Sequence, residues 1–305
     1  MTAKQITILA TTSSFGTGAP AANLHFVVNP WGRKLLEAEL ASLLEEYRPA
    51  GLLAGTEPIT RAVLTAAKDY LRVISRVGAG WDNVDHDAAA ELGMRVYRTS
   101  GVLTQAVAEL TIGLMLAALR SITLQDRLLR QGVWKKCMGG LLQGKKVGII
   151  GMGGIGKRVG ELVRAFGAEV IFHEVEAHEV PWGQRVSLAQ LLEDADIISL
   201  HASGKQRILG AEEFKAMGNR GVILINTARG ELIDEAALSS ALREGGVGCA
   251  CLDVFQEEPY RGDFCAMDNM VLTPHIGSYA QEARELMEKI AVDHLIQGLK
   301  EAEAL

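Results

Sequence analysis

The chain has 305 residues, of which 48% are hydrophobic and 22% are charged. This length predicts two domains or one large one, and it is enough to bury a core without a disulfide or a metal ion to hold it. The charge balance of 31 Lys and Arg against 37 Asp and Glu argues against a general nucleic-acid binder, because such proteins usually carry a basic surface. The ample hydrophobic content excludes a fibrous or disordered chain.

Two apolar stretches are too short for targeting or for a membrane span. The first, at 6–10, is shorter than the core of a signal peptide, and the second, around 110–119, is well below the ~20 residues that cross a bilayer. The four cysteines are typical of reduced thiols. Cys249 and Cys251 could form half of a metal site, but no second ligand pair accompanies them, and their apolar surroundings favour a buried strand. We therefore predict a cytoplasmic protein that binds no metal, no membrane and no nucleic acid.

Short apolar runs alternate with helical patterns in two successive series. The first series has predicted strands at 6–10, 51–54, 73–75 and 94–97, with predicted helices at 34–46, 61–68 and 87–92. After a long helical pattern at 106–130, the second series has predicted strands at 146–150, 169–172, 197–200, 221–226, 248–254 and 270–272, and a helix is predicted at 281–300. Strands of continuous Val, Ile and Leu between helices indicate parallel sheets covered on both faces. The sequence therefore predicts an α/β fold with two doubly wound parallel sheets, divided near Gly101.

A glycine-rich turn follows the first strand of the second series. Gly151, Gly153 and Gly156 have the spacing G-x-G-x-x-G, and the turn leads into a helical pattern at 157–166. In a dinucleotide-binding turn the first glycine permits the tight bend, the second lets the backbone approach a pyrophosphate, and the third lets the helix pack on the strand. The amino end of the helix then offers its free N–H groups to the phosphates.

An acidic residue follows the next predicted strand. Glu174 lies eighteen residues after Gly156, where a carboxylate can accept hydrogen bonds from the ribose hydroxyls and would repel a 2′-phosphate. Glu176 is a weaker candidate for the same role. The turn and the acid together predict NAD as the cofactor, in preference to NADP.

Three charged residues follow the ends of three later predicted strands. Arg229, Glu258 and His275 can meet because loops beyond the carboxyl ends of parallel strands converge. Arg229 can hold a carboxylate or carbonyl, His275 can exchange the hydroxyl proton during hydride transfer, and Glu258 can orient the imidazole and favour its charged form. Each also has a structural explanation on its own, as a turn cap, a surface acid or a core histidine.

Six segments together resemble the D-isomer-specific 2-hydroxyacid dehydrogenases, particularly the phosphoglycerate-dehydrogenase-like branch. They span nearly the whole chain, at 76–85, 104–110, 151–156, 226–234, 252–259 and 273–277. The resemblance implies a Rossmann NAD-binding domain at 102–278, inserted into a flavodoxin-like substrate domain formed by 1–101 and 279–305. It also implies a homodimer with its contact on the helix at 106–119, unless that helix is buried within one subunit. After the last predicted helix only a few residues remain, so no regulatory domain is expected.

The same resemblance assigns roles to particular residues. It gives catalysis to Arg229, Glu258 and His275, with Glu258 chosen over Glu257 because the family acid directly precedes the proline. Substrate would be bound by Arg229 and the loop of Gly78, Ala79 and Gly80, and also by Arg76, unless Arg76 pairs with an acid in its own domain. The residues expected along the cofactor are Val107, Gly151, Gly153, Gly154, Ile155, Gly156, Glu174, Ala202, Thr227, Ala228, Asp253, Gly277 and Ser278.

Three departures from the family pattern bear on the substrate. Phosphoglycerate-specific members typically carry an arginine in the second-strand loop, where this chain has Ala54, Gly55 and Thr56. Arg98, Thr99 and Ser100 replace the common Asn-Thr-Pro, and the loop at 202–204 is shorter than usual. The remaining histidines are expected at surface or hydrogen-bonded positions: His25, His86, His173, His178, His201 and His294.

The leading hypothesis is an NAD-dependent oxidoreductase that interconverts a small 2-hydroxy acid and its 2-keto acid. Two alternatives stay open at this stage. One is an NAD(H)-sensing binding module resembling the C-terminal-binding-protein corepressors, which keep the catalytic residues on this scaffold. The other is oxidation of an inorganic or one-carbon donor such as phosphite or formate, which Arg229 could hold as an oxyanion.

Overall fold

The computed structural model describes residues 5–12, 15, 23–176, 180–204 and 206–304. His178 therefore lies outside the described residues. The chain divides into two compact units. Unit 1 consists of Met1–Leu103 together with Tyr279–Leu305, and unit 2 consists of Thr104–Ser278.

Unit 1 is built on a five-stranded parallel sheet. Its strands are β1 (Ile6–Ala10), β2 (Leu24–Val28), β3 (Gly51–Ala54), β4 (Val73–Arg76) and β5 (Arg95–Arg98), and its first three helices are α1 (Glu37–Tyr47), α2 (Arg61–Ala67) and α3 (His86–Glu91). The strand order β2-β1-β3-β4-β5 is that of flavodoxin-like sheets. The sequence analysis missed β2, an edge strand whose side chains are mostly half-buried and whose apolar residues are interrupted by His25.

The C-terminal helix, Gln281–Glu301, covers one face of the unit 1 sheet. A Cβ on Gly298 would lie 2.8 Å from the ring of Tyr97, and a Cβ on Gly51 would lie 2.8 Å from Leu295 Cδ1. Glycine at these two positions thus lets the helix approach the strands closely. Arg95 Nε also contacts Glu301 Oε2 at 3.1 Å, at the far end of the helix.

Unit 2 is built on a seven-stranded parallel sheet. Its strands are β6 (Lys146–Ile150), β7 (Glu169–His173), β8 (Gln184–Arg185), β9 (Ile197–Leu200), β10 (Val222–Asn226), β11 (Val247–Leu252) and β12 (Met270–Leu272). Its helices are α4 (Thr104–Leu119), α5 (Ile122–Arg130), α6 (Gly154–Ala165), α7 (Leu188–Asp194), α8 (Ala211–Ala216) and α9 (Glu235–Glu244). The order β12-β11-β10-β9-β6-β7-β8 reverses between β6 and β9, as in Rossmann sheets. Two apolar cores cover its faces, so the predicted α/β fold with two parallel sheets is confirmed.

The long helical pattern predicted at 106–130 proves to be two helices. Ser121 has a left-handed backbone with φ of 48°, and α4 and α5 are bent by 63° at this break. Half of the α4 side chains are buried, whereas α5 buries none. Among the described helices, no single one has the length and apolar character to cross a bilayer, and α4 and α5 meet that test only when the bent pair is taken together.

Candidate active site

His275 and Glu258 form a direct pair at the carboxyl ends of neighbouring strands. Glu258 follows β11 and His275 follows β12, and the distance from His275 Nδ1 to Glu258 Oε2 is 2.9 Å. Glu258 Oε1 also accepts the backbone N–H of Phe255 at 3.2 Å, which fixes the carboxylate. Glu257 is exposed, whereas Glu258 is half-buried. The geometry therefore places Glu258, and not its neighbour, on the imidazole, where a carboxylate fixes the tautomer and leaves Nε2 for chemistry.

Asp253 holds the turn that carries His275. Its carboxylate, which is 1% exposed, accepts hydrogen bonds from Thr273 Oγ1 at 2.6 Å, Ile276 N at 2.8 Å and Gly277 N at 2.9 Å. Burial raises the pKa of Asp253, and the three hydrogen bonds act in the opposite direction. His275 itself has a φ of 55°, a left-handed conformation that is uncommon for a residue with a side chain. Such a conformation persists only where surrounding contacts enforce it, as Asp253 does here.

Arg229 lies on the turn after β10, next in the sheet to β11. Asn226 shapes this turn: its Oδ1 accepts the N–H of Ala228 at 3.0 Å, and its Nδ2 donates to the carbonyl of Arg229 at 2.8 Å. Arg229 Nη1 donates to the Ala228 carbonyl at 2.7 Å. A Cβ on Gly230 would lie 2.0 Å from the carbonyl carbon of Phe255, so glycine lets this turn pack on the loop of Glu258. The structure thus brings His275 and Glu258 into contact and places Arg229 on the adjoining turn.

The glycine turn after β6 adopts the expected strand–turn–helix form. Gly151 has a φ of 95°, and a Cβ there would lie 2.4 Å from the backbone N of Ala202, in the loop after β9. A Cβ on Gly156 would lie 2.1 Å from the Gly151 carbonyl oxygen. Both glycines are therefore required by the packing of the protein itself. Because β6 and β9 flank the point where the strand order reverses, this turn lies where Rossmann sheets bind their ligands.

Gly153 differs from its two neighbours in the motif. A Cβ built on it meets no described atom within 4 Å, and its φ of −69° is open to any residue. Packing within the protein therefore does not require a glycine at this position, whereas a ligand that approaches the backbone closely would require one. Since Gly153 precedes the first turn of α6, whose N–H groups attract anions, the turn fits a dinucleotide pyrophosphate.

Glu174 is positioned beside the same turn. Its Oε2 accepts the backbone N–H of Met152 at 2.7 Å, and its Oε1 accepts that of Val175 at 2.8 Å. These bonds hold the carboxylate at the end of β7, where the adenine-side ribose of a dinucleotide lies in this fold. Glu176 is exposed.

The other residues expected along the cofactor fall into two small groups. Val107 and Asp253 both approach Gly277, since a Cβ on Gly277 would lie 3.3 Å from Val107 Cγ2 and 3.2 Å from Asp253 Oδ2. Thr227 is buried, and its Oγ1 lies 3.1 Å from Thr111 Oγ1 on α4. The remaining members lie on the loops and helix start already named: Gly154, Ile155, Ala202, Ala228 and Ser278.

The expected substrate loop, Gly78–Gly80, lies in unit 1 at the end of β4. Thr99, which is fully buried, accepts the N–H of Gly78 on its Oγ1 at 2.9 Å, and its own N–H donates to the Gly78 carbonyl at 3.1 Å. Arg76 is 8% exposed and its Nη1 donates to the Val77 carbonyl. A Cβ on Gly78 would lie 2.3 Å from Arg76 Nη1, so the guanidinium packs directly on that glycine.

His201 and the two strand cysteines have structural settings. The Nε2 of His201 lies 2.8 Å from Ser199 Oγ, and burial lowers the pKa of His201 to about 3, so the imidazole is neutral. Cys251 is buried on β11 and Cys249 is half-buried on the same strand. Within the described part of the chain, no group of three or more His, Cys, Asp or Glu residues is arranged to hold a metal ion.

The sequence analysis missed the residues that shape the site without entering it. Asn226, Thr99 and Thr273 each bond a turn that carries a predicted site residue. For Asn226 a signal was present, because an asparagine at a strand end commonly bonds the backbone two residues on. Thr99 and Thr273 carry no comparable local signal.

Comparisons with known proteins identify the family of this chain. Residues 112–277 match the family described as D-isomer specific 2-hydroxyacid dehydrogenase, NAD binding domain. A glyoxylate reductase from Aeropyrum pernix is 35% identical over 96% of this chain and 92% of its own length. A hydroxypyruvate reductase from Thermotoga maritima is 38% identical over 83% of this chain and 86% of its own.

A solved structure covers almost the whole chain. The TT0316 protein from Thermus thermophilus superimposes with a TM-score of 0.87 and 36% identity, over 97% of each chain. Together these matches do not favour a corepressor-like module or a phosphite or formate oxidase. The chain belongs to the D-isomer specific 2-hydroxyacid dehydrogenase family, whose members transfer hydride between NAD(H) and small 2-hydroxy acids.

Proposed function

We propose that this protein reduces a small, unphosphorylated 2-keto acid, such as glyoxylate or hydroxypyruvate, with NADH. The observation that carries the proposal is the 2.9 Å pair of His275 and Glu258, held on a turn adjoining that of Arg229. The pair provides a proton donor, and the arginine provides an anchor for an acid. The names of the relatives from Aeropyrum pernix and Thermotoga maritima support the substrate class.

Each residue then has a role in reduction of the keto acid. When bound, the cofactor supplies the hydride. Arg229 binds the keto acid through its planar guanidinium, which suits a carboxylate or a carbonyl oxygen. His275 donates a proton from Nε2 to the carbonyl oxygen as the alkoxide charge develops there, while Glu258 holds the ring in place through Nδ1. In the oxidative direction His275 takes the same proton back.

The remaining predicted site residues have binding roles in this proposal. Within the Gly78–Gly80 loop, the backbone N–H groups of Ala79 and Gly80 would bind the substrate carboxylate, because a glycine-flanked loop presents such groups without side-chain hindrance. Gly151, Gly153, Gly156 and α6 would hold the pyrophosphate, and Glu174 would bind the ribose. Residues 102–278 would therefore form the cofactor domain, with 1–101 and 279–305 forming the substrate domain.

The loop after β3 argues against a phosphorylated substrate. It carries no arginine, and Glu57 is fully buried there, with its Oε1 accepting the N–H of Gly55 at 3.0 Å. Its other carboxylate oxygen, Oε2, has no hydrogen-bond partner among the described residues. A carboxylate in this loop would repel a phosphate, whereas phosphate-binding members place a positive charge in it.

A homodimer and a cytoplasmic location belong to the same proposal. Helix α5 buries no side chain. On the segment that follows it, three large apolar side chains are exposed: Trp134 is 81% exposed, Met138 98% and Leu141 65%. Exposed large apolar side chains concentrated on one segment are typical of a subunit contact. The four cysteines are all unpaired, as is usual in a reducing compartment. Analytical ultracentrifugation tests the dimer, and a monomer at micromolar concentration contradicts it.

The activity is tested with a substrate panel. NADH oxidation is followed with glyoxylate, hydroxypyruvate and phosphohydroxypyruvate, and NAD reduction with the matching hydroxy acids, phosphite and formate. We expect turnover with the first two acids, weak turnover with the phosphorylated acid, and none with phosphite or formate. Tight NADH binding without turnover of any acid contradicts the proposal.

A further inference from the structure

Two arginines stand side by side at the carboxyl ends of β4 and β5. Arg76 and Arg98 are paired in the register of these parallel strands. Arg76 is buried against Gly78, whereas Arg98 is exposed. The exposed arginine is the residue that departs from the family's common Asn-Thr-Pro, and nothing in the proposed mechanism uses it.

Arg98 is nevertheless held in a defined position. Its guanidinium lies over the ring of Trp81, 4.2 Å from the ring centroid, which is a favourable cation–π distance. His86 packs against the same ring edge-on, and its Nε2 lies 3.2 Å from the Trp81 carbonyl. From this platform Arg98 Nη1 donates to the Ala79 carbonyl oxygen at 3.4 Å.

The Ala79 carbonyl and the Gly80 N–H belong to one planar peptide and point in opposite directions. A positive charge on the oxygen side therefore favours a peptide orientation that turns the N–H away from Arg98, and it polarises that N–H as a donor. Among the described residues, the N–H groups of Ala79 and Gly80 have no hydrogen-bond acceptor. The N–H of Gly78, by contrast, is occupied by Thr99.

We propose that Arg98 is a positioning residue, which strengthens carboxylate binding by the Gly78–Gly80 loop through the Ala79–Gly80 peptide without touching the substrate. The inference rests on the proposed role of that loop. Because the guanidinium is exposed, solvent and salt screen its charge, and we expect an effect on affinity of about fivefold rather than a large one.

The test measures binding of oxamate, a carboxylate analogue of a 2-keto acid, to the protein–NADH complex by NADH fluorescence. Arg98→Gln should raise the oxamate Kd about fivefold, and Arg98→Lys should stay within about twofold of the unchanged protein, since it keeps the charge. Arg95→Gln is the matched control, because it removes the same charge from the other end of β5, where Arg95 pairs with Glu301. It should leave the oxamate Kd unchanged.

Several results overturn the inference. One is an equal loss in Arg98→Lys and Arg98→Gln, which indicates packing on Trp81 rather than charge. Another is an equal loss in Arg95→Gln, which indicates a general charge effect, and a third is absence of oxamate binding to the unchanged protein. If oxamate binding responds as expected but no keto acid is reduced, the proposed function fails while the role of Arg98 stands. Where turnover occurs, Arg98→Gln should raise KM with little change in kcat.

Discussion

The two units have the same kind of sheet but differ in the groups that lie at the carboxyl ends of their strands. In unit 2, the turns after β10, β11 and β12 project charged side chains, with His275 and Glu258 in contact. In unit 1, the loop after β4 is built around Gly78, with Thr99 and Arg76 bonded to its backbone. The difference is that the strand ends of unit 2 carry charged side chains, whereas the loop after β4 in unit 1 presents backbone groups.

The comparison also shows two uses of buried polar residues. Asp253 in unit 2 accepts three hydrogen bonds and enforces the left-handed backbone of His275. Thr99 in unit 1 holds the backbone of Gly78 in a similar way: its hydroxyl oxygen accepts the Gly78 N–H, and its own N–H donates to the Gly78 carbonyl. In each unit the backbone of the turn is held by a buried residue at the end of the adjacent strand.

The largest expected effect is that of His275→Ala, which tests the role of the charged side chains in unit 2. Loss of the proton donor should lower kcat by about 10²–10⁴-fold, with NADH affinity unchanged. His25→Ala on the exposed face of β2 is the control and should match the unchanged protein. A His275→Ala variant with normal kcat would falsify the proton-transfer role.

Two substitutions in the glycine turn of unit 2 separate a glycine needed for packing of the protein from one needed for approach of the cofactor. Gly153→Ala should leave the melting temperature close to that of the unchanged protein, because its Cβ meets no described atom, while NADH Kd rises about tenfold or more. Gly156→Ala should instead lower stability, since its Cβ would meet the Gly151 carbonyl at 2.1 Å. Thermal melts and NADH titrations separate the two. A destabilised Gly153→Ala, or one with normal NADH affinity, contradicts the assignment.

Gly78→Ala tests whether the backbone of the Gly78–Gly80 loop in unit 1 binds the substrate. Its Cβ would displace the Arg76 guanidinium, and its φ of 153° disfavours a side chain. We expect KM for the keto acid to rise about tenfold, with NADH affinity unchanged. Gly93→Ala is a control for the strain of positive φ, at 71° with open space around it. If both variants change KM equally, the loop has no special part in substrate binding.

The smallest effect concerns His201, a partly buried histidine in unit 2. With its pKa lowered to about 3, the folded protein keeps it neutral while the unfolded chain binds a proton below its usual pKa of 6.5. Its contribution to stability is therefore lost as pH falls from about 6.5 towards 3, by about 2 kcal/mol at pH 5. His201→Gln should flatten the fall in urea-unfolding free energy between pH 7 and 5 by about that amount. An unchanged slope contradicts the neutral imidazole.

Local patterns were sufficient for much of this fold. Continuous apolar strands between helices predicted both parallel sheets, and the glycine spacing after β6 predicted the phosphate turn. Where the signal depended on the environment, prediction failed. The apolar run of the half-buried edge strand β2 is only three residues long, Phe26–Val28, and the break at Ser121 has no Gly or Pro to mark it.

The sequence by itself determined the fold class and the family. It also supplied the candidate set of Arg229, Glu258 and His275, because turn glycines and strand-end residues obey local rules of backbone conformation and strand polarity. Only the tertiary structure decided that Asp253 holds the turn of His275, that Thr99 bonds the N–H of Gly78, and that Arg98 reaches the Ala79 carbonyl over Trp81. Those facts depend on contacts between strands that are distant in sequence, and no local propensity encodes them.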